Sequence, residues 1–153
     1  MKTLNLIIAF LLCTQAYGQV ENFETLSEIN SEERFLKVVL ENGYHKDEES
    51  TETYLIYSIY RWGLVRAGFD KSKDYWWFGY NNTVYGSDMA YRDIAESIKT
   101  NCKYRRIIEF KDESIACYNC PNSNFTGLVG LSNEEEASYI MHFGPLFLAT
   151  LDK

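Results

Sequence analysis

The sequence predicts an α+β fold, helices packed on a small antiparallel sheet, and three observations carry that prediction. Two stretches, Asn30 to Leu40 and Ser132 to Phe143, open with helix-capping residues and continue with apolar stripes at helical spacing. Tyr104 to Phe110, Phe125 to Leu131 and Leu146 to Leu151 read as short strands. The helical and extended segments do not alternate regularly, which separates α+β from α/β.

In chain order, Met1-Lys2-Thr3 precedes an apolar run from Leu4 to Cys13, and Ala16-Tyr17-Gly18 ends it with small residues before Gln19. That is the pattern of a secretory signal peptide over residues 1–18, and the run is about half the length of a spanning helix. Residues 19–28 are polar and read as a flexible arm, leaving 29–153 as a single α+β domain. Asn30, with Glu33 three residues on, caps a helix whose stripe is Phe35, Leu36, Val39 and Leu40, and Asn42-Gly43 stops it. A charged connector follows, Lys46 to Ser50.

Tyr54 to Val65 is apolar nearly all round and reads as a buried helix starting near Thr51, although its tyrosines and isoleucines also suit a strand. Asp70 to Tyr80 is a turn followed by an aromatic run. Ser87 caps a helix with stripe Tyr91, Ile94, Ala95 and Ile98. At the C-terminal end, Ser132 and Glu135 form a capping box, Tyr139, Ile140 and Phe143 form the stripe, and Gly144-Pro145 terminates the helix before a last strand.

Composition bounds function. With 46% hydrophobic and 24% charged residues the chain is one globular domain rather than a disordered one. The formal charge is −7, or −8 without the leader, whose single charge is Lys2, so nucleic acid and anionic lipid surfaces are poor partners. A leader and no other long apolar run imply a secreted chain, extracellular or in the endo-lysosomal lumen, with no membrane span. In that oxidising setting Cys102, Cys117 and Cys120 remain after Cys13 departs. They allow one intramolecular bridge, Cys102–Cys117 or Cys102–Cys120 in preference to Cys117–Cys120, with one thiol left over. Two glycosylation sequons, at Asn81 and Asn124, suit the same address and require surface positions.

Several constellations have plain structural readings. Cys117-Tyr118-Asn119-Cys120 has redox or half-zinc spacing, yet Pro121 to Asn124 reads as a loop, and His45 and His142 are isolated from any ligand pattern. Asp70 to Asp74 imitates a calcium loop, but Tyr75 and Asn81 stand where glycine and a bidentate glutamate are needed. No metal or cofactor is implied. Tyr75, Trp76, Trp77, Phe78 and Tyr80 are core or, alternatively, a binding face for sugar or peptide. Lys99, Lys103, Arg105 and Arg106 form a basic clump, read first as a solvated face, and Glu134 to Glu136 suit the positive end of a helix. No G-x-S-x-G elbow, H-E-x-x-H or phosphate loop occurs.

Phe125 to Glu136, Tyr139-Ile140 and Gly144 to Ala149 resemble a stretch of papain-family cysteine peptidases, and Glu52 to Val65 is a weaker echo. The resemblance implies a strand, a capped helix ending in Gly-Pro, and a core strand. The family's C-G-x-C-W nucleophile motif is not matched, and its histidine after the Gly-Pro strand has no counterpart before Lys153. Covalent catalysis needs both partners. No catalytic residue is therefore assigned. The resemblance implies an inactive relative that acts by binding a protein or peptide, with an unrelated secreted binding module as the alternative.

Overall fold

The computed structural model describes residues 22–60, 64–110, 113–121, 123–125 and 127–151. The expected leader lies outside them. Helices α1 (Phe23–Ser27) and α2 (Glu32–Glu41) lead into β1 (His45–Lys46), β2 (Tyr54–Tyr60), β3 (Leu64–Asp70) and β4 (Tyr75–Asn81). Helix α3 (Tyr85–Asn101) is followed by β5 (Lys103–Phe110), β6 (Glu113–Asn119), β7 (Leu128–Asn133), β8 (Ala137–Phe143) and α4 (Pro145–Leu151). All the strands join one antiparallel 8-stranded sheet in the order β1-β2-β3-β4-β8-β7-β6-β5. The α+β class holds, with a sheet larger than the small one expected.

Strand alternation sorts the apolar residues onto two faces. On one, Phe35 and Val39 of α2 and Tyr91, Ile94 and Ile98 of α3 pack on Tyr57, Phe69, Trp76, Phe78, Tyr80, Val129 and Ile140. On the other, Phe147 of α4 packs with Ile115, Cys117, Met141 and Phe143. Phe147 stacks on Tyr75 at 4.6 Å and on Phe143 at 5.2 Å. Bare backbone lets rings lie flat on this second face. A Cβ on Gly68 would collide with the Trp77 indole nitrogen, and one on Gly130 would sit 2.5 Å from the Phe143 ring.

Several local expectations are corrected. The arm becomes α1 from residue 23, capped by Asn22 and anchored by Leu26, which is 1% exposed. Ser31, not Asn30, caps α2 by accepting from the Arg34 amide. Tyr54 to Tyr60 is a strand, not a helix, because β-branched and aromatic residues here bury both sides of a pleat. Ser87 does not cap α3; its hydroxyl accepts from the Asn81 amide at 2.8 Å and so joins the helix start to the end of β4.

The largest correction is at the C-terminal end. Ser132 lies inside β7, and its hydroxyl donates to Glu113 on β6 instead of capping a helix. Glu134 to Glu136 form an exposed hairpin tip, closed by the Glu134 amide on the Ala137 carbonyl. The expected helix is β8, where Met141 and His142 are buried along with Ile140 and Phe143, as a central strand requires. The expected last strand is α4, started by Pro145 at its first position. The strand-helix-strand order implied by the papain resemblance is thus replaced by hairpin and helix. Tyr104 to Phe110 is a strand as expected.

Cys102 and Cys120 form the disulfide, with Cα atoms 4.3 Å apart, and join the end of α3 to the chain just past β6. Cys117 is the leftover thiol, buried between the sheet and α4. The bridge closes a loop across 18 positions, worth on the order of 3 kcal/mol. The double variant Cys102→Ser/Cys120→Ser should lose about that much unfolding free energy in a guanidinium titration.

Candidate functional site

Helix α3 is the longest helix described, and it packs on β4 and β8. The sheet continues past that contact through β7, β6 and β5. Between helix and outer strands lies a groove of about 660 Å³ lined by residues of α3, β6 and β7. Its apolar part is Tyr91, Ala95, Ala116, Tyr118 and Leu131. Two alanines among these linings leave room where larger side chains would close the gap.

The walls are held in place. Tyr91 donates its hydroxyl to the Ser132 carbonyl at 3.1 Å, and burial pushes its pKa up to about 12. Arg92 pairs with Asp88 at 2.9 Å and Lys99 with Glu96 at 2.8 Å along the helix rim. Such exposed pairs add little stability, but they place both signs of charge on one wall. Ser114 and Asn133 supply polar groups on the sheet side. The groove thus has an apolar floor and a polar, charged rim.

The groove-facing side of the sheet extends onto β5. Ile107 lies opposite Ala116 and Tyr104 opposite Tyr118, so both share the face of the groove. They are 56% and 52% exposed. Tyr104 meets the Tyr118 ring edge-on at 5.7 Å. A register shift between Tyr104 and Arg106 makes Arg105 a bulge residue and sends Arg106 to the opposite face, beside Cys117. Lys103, Arg105 and Arg106 are all exposed, whereas Lys99 is tied to Glu96 on the helix. The basic clump is therefore split between the groove rim and the outermost strand.

The aromatic run does not form one face. Trp76, Phe78 and Tyr80 are at most 1% exposed beneath the helices, and Tyr75 is covered by α4. Trp77 is half-buried on the same side as Tyr75, its indole N–H donating to the Tyr54 hydroxyl at 2.8 Å. Asn124 is exposed, while Asn81 is half-buried, its side-chain oxygen accepting from the Thr83 amide and hydroxyl. Asp70 to Asp74 is a hairpin turn, with Asp70 accepting from Ser72 and Asp74 at φ 51. Among the described residues no cluster of three or more His, Cys, Asp or Glu is arranged to hold a metal.

Cys117 and His142 lie on opposite faces of the sheet. The thiol is buried with Ile115 and Met141, and burial pushes its pKa up to about 11 against the pull of Arg106. The imidazole is sandwiched between Trp76 at 5.5 Å and Phe125 at 5.6 Å. Burial lowers its pKa to about 4, with Asp74 opposing. His45 is on β1, six inter-strand steps from β6, or roughly 29 Å across the sheet. This arrangement brings no imidazole to the Cys117 sulfur. Ile107 and Ala116 were missed as site residues in the sequence; the alternation around Ser114-Ile115-Ala116-Cys117 was the signal that could have found them.

No protein-family model matches the chain, and neither a curated protein nor a solved structure matches it.

Two measurements follow from these buried groups. Iodoacetamide at mildly alkaline pH should leave Cys117 unlabelled in the folded chain and label it in denaturant with the disulfide intact. An unfolded histidine protonates near 6.5, whereas His142 does so near 4, so stability falls as pH drops through that window and levels off below it. Denaturation at about pH 7 and about pH 5 should show the wild type losing about 2 kcal/mol more than His142→Phe.

Proposed function

We propose that this chain is a non-catalytic, secreted peptide-binding module whose site is the groove between α3 and the outer strands. The observation that carries the reading is the offset between α3, seated over β4 and β8, and a sheet that runs on through β7, β6 and β5. Ala95, Ala116, Leu131 and the Tyr91 and Tyr118 rings receive an apolar side chain, worth about 1.5–3 kcal/mol if fully buried. The paired charges of α3, with Ser114 and Asn133, meet the peptide's backbone and polar groups.

Two observations support the secretory part. The Cys102–Cys120 disulfide suits an oxidising compartment, and no helix among the described residues is long and apolar enough to cross a membrane. The charged, apolar and small-residue pattern of residues 1–18 is the address signal itself. Binding is favoured over thiol catalysis because the one free cysteine described is buried, with its pKa raised, on the face away from His142. The papain resemblance adds nothing to this reading, since the segment that carries it folds in a different element order. An aromatic sugar platform draws less support, because Trp76, Phe78 and Tyr80 are buried on one face and Tyr75 is stacked against Phe147 on the other.

The test is to select peptides from a random library on residues 19–153 and measure their affinity by fluorescence polarisation. Ala116→Trp fills the groove. Selected peptides should bind the wild type and lose at least roughly tenfold in affinity on this variant, with its circular dichroism unchanged. Equal binding to both proteins would remove the groove as the site.

A further inference from the structure

The sheet ends on β5, whose outer backbone edge has no strand beside it among the described residues. The opposite end of the sheet is a strand of only two residues, the usual way to blunt an edge. β5 is eight residues long, and Lys103 through Ile107 are exposed in succession. Its length suits pairing with another extended segment. Its charge decides which segment.

β5 carries Lys103, Arg105 and Arg106 against a single acid, Glu109, in a chain whose formal charge is −7. Glu109 is held by the Ser114 hydroxyl at 2.9 Å. Register places Lys103 and Arg106 on the α4 side of the sheet, opposite Asn119 and Cys117. Tyr104 and Ile107 stand on the groove side, opposite Tyr118 and Ala116. A strand laid along this edge meets cations on one face and apolar surface on the other. Pairing two copies of β5 antiparallel with Arg106 at the centre would set the two Arg106 side chains directly opposite, and like charges so placed are unfavourable.

We infer that β5 takes up an extended segment of a partner protein in which acidic and apolar residues alternate, adding it to the sheet as a further strand. The acidic side chains face Lys103 and Arg106, with Arg105 at the bulge between them. The apolar ones cover Tyr104 and Ile107 and so continue the groove floor outward. This deepens the peptide-binding reading by naming the partner's chemistry.

The probe is a capped octapeptide of alternating valine and glutamate, read by anisotropy and by amide hydrogen exchange on residues 19–153. Three controls accompany it: the valine–lysine counterpart, a fully backbone-N-methylated copy, and Lys103→Glu/Arg105→Glu, which changes two exposed side chains. The wild type should bind the acidic octapeptide, with new protection confined mainly to the amides of β5. Affinity should fall at least roughly tenfold for the charge-reversed protein and for the N-methylated peptide, and should weaken with added salt. No binding, no β5 protection, or equal binding of the lysine or N-methylated peptide overturns the inference. So does β5 protection that rises with protein concentration in the absence of peptide, which would mark a second copy as the occupant. Ala116→Trp separates the two readings. If it still binds the octapeptide at β5 while library peptides ignore the substitution, the edge stands and the groove falls. If library peptides need Ala116 and the octapeptide leaves β5 unprotected, the groove stands and the edge falls.

Discussion

An eight-stranded sheet has two faces to cover, and the short helices described here cannot cover both. This shortage of helix over sheet governs the rest of the structure. Where helices are present, packing is dense: α2 and α3 lie on the aromatic side chains of β2, β3 and β4, and α4 seals the middle of the other face. Where they run out, at β5 and the outer parts of β6 and β7, the sheet must be polar, charged or occupied by something else. The exposed tyrosine and isoleucine on β5 stand in that uncovered region.

The covered and uncovered halves divide the titratable and reactive groups as well. His142 and Cys117 sit in the covered half, on opposite faces, and each is held in its neutral form by burial. The paired charges of α3 and the cations of β5 sit on the uncovered side. The paired charges of α3 and the cations of β5 are therefore accessible, and the Cys117 thiol and the His142 imidazole are not. That separation suits recognition better than covalent chemistry.

The sequence made the mixed class, α2, α3 and β5 legible, because each has a regular pattern that one face of packing imposes. It misled wherever a segment is buried on two faces. Tyr54 to Tyr60 and Ser138 to Phe143 lose their alternation because both pleat surfaces are apolar, and an all-apolar run imitates a buried helix. Ser132 and Glu135 carry a sound capping pattern, but the serine hydroxyl finds Glu113, a partner 19 residues away that local reasoning does not see. β6 was hidden by attention to its cysteines. The groove itself depends on the order β8-β7-β6, which follows from long-range pairing and leaves no local trace.

The disulfide has a consequence for the uncovered half. Cys102 ends the helix that forms one wall, and Cys120 follows directly on the strand that forms the other. The two walls thus behave as tongs riveted at one end, unable to splay far when empty. A peptide in the proposed groove would meet jaws whose spacing is already set, so its arrival would carry little ordering cost.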